Sequence, residues 1–281
     1  MEKLELNLLQ KERPASENQD SCGCGNDEPR FAISCGDRSR KAPHWVVGKT
    51  VTPSGEAVPR ISSRLEFADR LGAFRCRTGA YRFSYMVPAG LYAVGNPGGD
   101  SDVLVTGNYK LSFDSLRKEL SGRDLWILVL DTKGINVWCA AGKGTFGTEE
   151  LVRRIRCANL AGVVSHRHII VPQLGGPGVS APLVRKQSGF TVRFGPVRAS
   201  DLPAYLDSEY RADAAMRRIR FTMWDRLILT PMEIRPALKY FPLFAGVVLL
   251  VFGLQPSGIL FRDAWSGGFP FLVLGLGAVL S

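Results

Sequence analysis

A run of 22 residues, Tyr240 to Phe261, contains no charged side chain. About 20 apolar residues suffice for a helix to cross the hydrocarbon core of a bilayer. Arg262 and Asp263 interrupt the run, and Ala264 to Ser281 is again uncharged. Gln255, Pro256, Ser257 and Gly258 weaken the second half of the first run, so a helix starting at Tyr240 would end early. A buried helical hairpin is the alternative, but charge-free runs of this length are uncommon outside membranes. The expectation is therefore transmembrane helices over 240–281: one span and the start of another, a truncated anchor. Composition sharpens the contrast. Mean hydropathy is +0.00 only because this apolar end offsets a polar stretch over residues 1–40. An apolar fraction of 45% with 22% charged residues excludes a wholly disordered chain.

The formal net charge is +10, and residues 211–239 contribute to it. There Arg211, Arg217, Arg218, Arg220, Arg226, Arg235 and Lys239 outnumber Asp213, Asp225 and Glu233. Met216, Ile219, Met223, Leu227 and Ile228 fall near helical spacing. A basic amphipathic helix at a membrane surface is expected, with membrane lipid as its partner. Anionic lipid accounts for the surplus charge without nucleic acid, and no nucleic-acid-binding motif is visible. Basic residues beside the first span favour a cytoplasmic domain on a multi-pass protein of the cytoplasmic (inner) membrane. Met1 to Gln10 carries Glu2, Lys3 and Glu5 and lacks the apolar core of a signal peptide. The 6 cysteines are accordingly expected as reduced thiols.

Residues 1–40 read as a disordered polar tail. Within it Cys22 and Cys24, with Cys35 further on, could reach a soft metal ion, although reduced spectator thiols are the plainer reading. Residues 41–210 read as an α/β domain. Strands are expected at Asp102 to Thr106, Leu125 to Leu130, Val163 to Ser165, His168 to Val171 and Phe190 to Phe194. Helices are expected at Phe113 to Leu120, Thr148 to Leu160, Ala181 to Ser188 and Asp201 to Asp213. Short apolar strands alternating with helices imply a Rossmann-like, largely parallel sheet. Ligands bind such sheets beyond the strand C-termini. The loops Gly107 to Tyr109, Thr132 to Gly147 and Pro172 to Ser180 are thus the ones that matter. His166 and His168 share a strand face and could bind metal, but surface histidines usually do not.

The loop after Leu125 to Leu130 fails as a phosphate loop. Position 137 is Val where Gly is required, and Gly144 stands where Ser or Thr should follow Lys143. It offers instead Cys139 followed by Ala140, Ala141 and Gly142. If these residues begin a helix, the small side chains leave a low surface for a large flat ligand. The helix start would favour a Cys139 thiolate, a soft donor suited to a transition metal in a macrocycle. A buried structural cysteine is the alternative.

Asn136-Val137-Trp138-Cys139-Ala140-Ala141-Gly142-Lys143 resembles the signature of the corrinoid protein of microbial mercury methylation, found in anaerobic organisms. Leu91 to Gly95, Val105 to Lys110, Val171 to Gly178 and Gly189 to Pro196 resemble that family too. The domain is also similar to the cobalt-carrying part, the large subunit, of the corrinoid iron-sulfur protein of the acetyl-CoA pathway, which lacks the cysteine at the position of Cys139. The mercury family carries more spans than this chain can hold.

The resemblance implies a corrinoid-dependent methyltransferase with a cobalamin-type corrinoid (cobalt) as cofactor. Cys139 would be the lower axial ligand, and the methyl group would pass to Hg(II) as a carbanion equivalent. Cofactor contacts would come from Asn136, Val137, Trp138, Cys139, Ala140, Ala141, Gly142 and Lys143. Thr106, Gly107, Asn108, Leu174, Gly175 and Gly176 would add to them. Asn136 and Trp138 would stand around the sulfur, one as an amide donor and one as a wall against water. A ferredoxin-like two-cluster iron-sulfur protein would supply electrons, and a methyltetrahydrofolate-linked system the methyl group. A membrane-bound methyl carrier of one-carbon metabolism and a non-catalytic corrinoid-binding protein are the alternatives.

Overall fold

Three apolar runs, Gly90–Val94, Val103–Gly107 and Leu125–Leu130, become fully buried strands. Strands covered on both faces can be apolar at every position. A computed structural model of the chain describes residues 42–78, 84–219, 222–223, 239–252, 254–255, 258–259 and 261–280. Its elements run β1 (Val46–Val51), β2 (Ala57–Ile61), α1 (Phe67–Thr78), β3 (Gly90–Val94), β4 (Val103–Gly107), α2 (Lys110–Lys118) and β5 (Leu125–Leu130). They continue with α3 (Val137–Gly142), α4 (Thr148–Cys157), α5 (Leu160–Val163), β6 (His168–Val171), a 3₁₀ turn (Gln173–Gly178), α6 (Ala181–Ser188), β7 (Thr191–Phe194) and α7 (Leu202–Asp207). Beyond these lie α8 (239–252), a two-strand hairpin β8 (Leu254–Gln255) and β9 (Gly258–Ile259), and α9 (Phe261–Leu280).

The first 7 strands form one sheet in the order β1-β2-β3-β5-β4-β6-β7. Strands β5, β4, β6 and β7 are parallel, while β3 runs antiparallel to β5. Strand β2 is parallel to β3 and antiparallel to β1. The sheet is therefore mixed, which corrects the expected Rossmann-like parallel sheet. The cause is the short link 95–102. A parallel return needs a crossover of a dozen or more residues, and this link holds no helix. Side chains of β5 alternate between two cores: Trp126, Leu128 and Leu130 on one face, Leu125, Ile127 and Val129 on the other. That is the period-two geometry of a strand.

Sequence signals set the helix ends. Helix α4 has Glu149 and Glu150 in its first turn and Arg154 and Arg156 in its last, matching the helix dipole. Helix α6 has a proline in its first turn and stops at Gly189, whose φ is 77°. The expected strand Val163 to Ser165 is instead the end of α5 and the turn that follows. The helix expected over Asp201 to Asp213 stops at Asp207.

Under β3 and α2 lies a buried charge network. Asp69 is paired with Lys110 at 2.8 Å, Arg117 at 2.7 Å and His44 at 2.9 Å. Lys110 and Arg117 also bond Asp114, and Arg117 Nη1 donates to the carbonyls of Ser62 and Arg64. The Arg117 Nη2 contact to Asp69 is an ion pair without hydrogen-bond alignment.

Two expectations about membranes are overturned. Among the described residues no helix is long and apolar enough to cross a bilayer. Helix α9 contains Arg262, Asp263 and Pro270 in its first half, and α8 is too short. The transmembrane helices, the multi-pass placement in the inner membrane and the lipid partner are corrected accordingly. The expected juxtamembrane helix does not begin at 211, because residues 211–219 form turns and extended chain. Residues 220–221 and 224–238 of it, and the whole tail 1–40, lie outside the described residues.

Candidate functional site

Because β4, β5, β6 and β7 are parallel, Gly107, Leu130, Val171 and Phe194 all end at one edge of the sheet. The chain leaves β4 toward one neighbour and later returns on its other side, so the following loops diverge and open a crevice at that edge. Cys139 is carried there by the loop after β5.

Asn108, 5% exposed, fixes that loop. Its Oδ1 accepts from the Thr132 backbone N–H at 3.1 Å, the Thr132 hydroxyl at 2.9 Å and the Gly134 N–H at 3.0 Å. Its Nδ2 donates to Asp131 Oδ1 at 3.1 Å. The Thr132 hydroxyl also lies 2.7 Å from the Ile135 carbonyl oxygen, a second acceptor for its single proton. Glu150 of α4 accepts the Asp131 N–H at 2.8 Å, tying the loop to the next helix. Burial alone would raise the Asp131 carboxyl, but Lys133, with Arg154 nearby, holds it below its ordinary 3.8. Gly107 lets the strands close up here: a Cβ on it would meet Thr132 atoms at 2.9 Å.

Asn136 then caps α3, its Oδ1 accepting the Cys139 backbone N–H at 2.9 Å. That amide oxygen serves the helix start, not the sulfur. The helix has two unlike faces. Val137, Ala140 and Ala141 are buried in the core, and Ala141 packs on the 3₁₀ turn, where a Cβ on Gly178 would lie 3.1 Å from its Cα and 2.1 Å from the Phe146 carbonyl oxygen. Gly175 is equally constrained, by the Phe146 ring at 2.4 Å. Trp138, Cys139, Gly142 and Lys143 form the exposed face. Cys139 is a free thiol, and Trp138 is 61% exposed.

Beside α3 is a cavity of about 440 Å³. Thr106, Asn136, Val137, Trp138 and Leu174 line it, whereas Gly107, Asn108, Cys139, Ala140, Ala141, Gly142, Lys143, Gly175 and Gly176 do not. Tyr109, in the loop Gly107 to Tyr109 singled out above, also lines it, while other walls were not anticipated: Arg77, Ser112 and Ser115 from α1 and α2, and Pro196 to Ala199 after β7. Ser112 and Ser115 stand three residues apart on α2, a spacing that marks one helical face. Cys22, Cys24 and Cys35 lie outside the described residues.

A flat macrocycle ligated from below needs an exposed donor on a low surface. Cys139 provides the donor. A Cβ on Gly142 or Gly144 would meet nothing within 4 Å, so the space around the outer face of α3 is open. The small residues that make it low are these glycines; Ala140 and Ala141 face the core. The residues present fit such a group.

Comparison with known proteins gives the following likeness. Residues 81–204 match the family model of the CO dehydrogenase/acetyl-CoA synthase delta subunit. The chain is 32% identical over 125 residues to the acetyl-CoA decarbonylase/synthase complex subunit gamma of Methanopyrus kandleri, covering 44% of this chain and 27% of that protein. It is 26% identical over 131 residues to the subunit of the same name from Archaeoglobus fulgidus, covering 46% and 27%. For the Methanocaldococcus jannaschii subunit the figures are 36% over 90 residues, 31% and 18%. The chain thus spans about a quarter of the length of the first of these relatives. The expected assignment to the mercury-methylation family is corrected by these matches: the likeness found is to acetyl-CoA decarbonylase/synthase and CO dehydrogenase/acetyl-CoA synthase subunits, and residues 81–204 of the family match contain the described residues of the site apart from Arg77.

Proposed function

We propose that this chain is a corrinoid-dependent methyl carrier in which Cys139 would be the protein's ligand to the cofactor metal. The observation that carries this reading is the free, exposed thiol of Cys139 at the C-terminal edge of the parallel strands, on an open helix face. The likeness to subunits of a complex named for acetyl-CoA synthesis and cleavage supports it. A cobalamin-type corrinoid, when bound, supplies a cobalt centre that accepts a methyl group and passes it on.

The chain's own residues have separate tasks. Asn136 holds the start of α3 and with it the position of Cys139. Trp138, exposed on the same helix, lines the adjoining cavity. Val137 and Leu174 give the adjoining cavity apolar lining, and Thr106 adds a hydroxyl to it. As a thiolate, Cys139 would be a soft, charge-donating ligand for the cofactor metal. Hg(II) is the soft acceptor substrate to test. The electron donor on this reading is a ferredoxin-like two-cluster iron-sulfur protein, and the methyl donor a methyltetrahydrofolate-linked system.

The test uses the full chain and its Cys139→Ala variant, each reconstituted with cobalamin under reducing conditions. The native chain should take up corrinoid with the absorption shift of thiolate ligation, and the variant should bind without that shift. Methyl transfer to Hg(II) and to a folate acceptor is then compared. Identical spectra for the two proteins would overturn the role of Cys139. Failure of both to take up corrinoid would overturn the carrier reading.

A further inference from the structure

At the opposite edge of the sheet, where β4 and β6 begin, Asp102, His166 and His168 converge. One ligand atom from each lies within 4.8 Å of the others, and all three side chains are half-buried. The imidazole rings stack with centroids 3.9 Å apart and planes inclined by 26°. The arrangement is held from several sides. His166 Nε2 lies 3.0 Å from the Ser101 carbonyl oxygen. A carbonyl can only accept, so that nitrogen carries the ring proton; the Nδ1 lone pair accepts the His168 N–H over a long 3.4 Å, a contact a metal ion would displace. Metal-binding histidines are commonly oriented this way, with the far N–H donated to a backbone carbonyl. His168 Nε2 is 3.2 Å from Asp102 Oδ1. Two ligands of a tetrahedral zinc ion, each about 2.0–2.1 Å from it, stand roughly 3.3 Å apart, so an ion can replace the proton shared by this pair with little movement. Tyr210 donates to the same Asp102 oxygen at 2.7 Å, steadying the carboxylate from the chain after α7.

The geometry points to a divalent-cation site formed by Asp102, His166 and His168. Two imidazoles and one carboxylate suit a borderline ion such as Zn(II), Co(II) or Ni(II) better than a soft ion that prefers thiolate or a hard ion that prefers oxygen. Three protein ligands leave a position for water. The site joins the segment before β4 to the segment before β6, two neighbouring strands far apart in sequence, and so would fasten the end of the sheet remote from Cys139. It does not depend on the corrinoid reading.

Co(II) is the probe, applied to the full chain with its cysteines alkylated under native conditions. One equivalent should bind and give visible d–d bands without a near-ultraviolet thiolate charge-transfer band. His166→Ala and His168→Ala should each weaken Co(II) binding at least tenfold. Tyr210→Phe, which leaves every ligand in place, should bind within a few-fold of the native chain. Circular dichroism identifies variants that fold. If a histidine variant does not fold, the ring resonances of His166 and His168 in the native chain should broaden selectively on adding Co(II). Absence of saturable binding, binding unaltered in the folded histidine variants, or unbroadened ring resonances would overturn the site.

Discussion

Asn108 and Thr132 are joined twice, the Asn108 side-chain oxygen accepting from both the backbone N–H and the hydroxyl of Thr132, at 3.1 and 2.9 Å. A single amide at the end of β4 thereby sets the course of the loop that delivers Cys139. Asn108→Ala removes the acceptor of the buried Thr132 N–H, while the hydroxyl keeps the Ile135 carbonyl, and a stranded buried donor costs about 1–3 kcal/mol. The variant should unfold at lower urea, and the Gly134 amide, which donates to the same oxygen, should exchange with solvent faster. Unchanged protection at Gly134 would show that the loop does not need Asn108.

Gly178 and Gly142 should respond in opposite ways to alanine. At Gly178 a Cβ would lie 2.1 Å from a backbone oxygen, which no rotamer change can relieve. At Gly142 it would meet nothing within 4 Å, and alanine favours a helix by about 1 kcal/mol over glycine. Thermal denaturation should show a large loss for Gly178→Ala and none for Gly142→Ala. Because Gly142→Ala leaves the protein itself intact, any weakening of corrinoid uptake in it reports a ligand against that face.

Asp69 gives the protein a marked acid sensitivity. Burial would raise its carboxyl, but the hydrogen bond from Lys110, the Glu66 N–H and Arg117 more than offset this and hold it far below the ordinary 3.8. A depressed carboxyl contributes stability that is fully present above the unfolded value. That contribution drains away as pH falls from about 4 through the folded value. Asp69→Asn should cost up to about 3–5 kcal/mol at neutral pH, since buried Lys110 and Arg117 then share the single carboxylate of Asp114. Its stability should also vary less with pH below 4, as followed by urea titrations across the acid range. A variant with the same acid slope as the native chain would count against Asp69.

Thiol accessibility should distinguish the described cysteines. Cys139 is exposed, Cys76 buried and Cys157 between them. Brief treatment with iodoacetamide followed by peptide mass mapping should label Cys139 well before Cys76. Cys76 is further sheltered by the Tyr109 hydroxyl at 3.4 Å. Bound corrinoid should protect Cys139 and leave the labelling of Cys157 unchanged. Equal labelling of Cys139 with and without corrinoid would argue against its role as a ligand.

Local sequence carried the central strands and the site helix well. Leu125–Leu130 and His168–Val171 fall where apolar runs place them, and Asn136 is a capping residue in the position where a helix begins. What local sequence could not convey was long-range pairing. The direction of β3 depends on the length of the link to β4 and on which strand receives it. The inward turn of Ala140 and Ala141 depends on the 3₁₀ turn packed against them, more than thirty residues later. Asp102 joined His166 and His168 only through the adjacency of β4 and β6. The uncharged stretch at 240–261 misled because its length was given more weight than the breaks noted at Gln255 to Gly258: the described chain there forms a helix over 239–252 and a pair of short antiparallel strands.

The two cores on either side of the sheet have a consequence for how the site can change. Leu104, Leu116, Ile170 and Leu202 wall the cavity from one core, while Val105 and Val137, the latter on the helix of Cys139, wall it from the other. Side chains in contact or around a shared cavity couple. A substitution on the far wall is therefore felt by Val137, so reshaping the chamber and holding the thiol in place are not independent tasks.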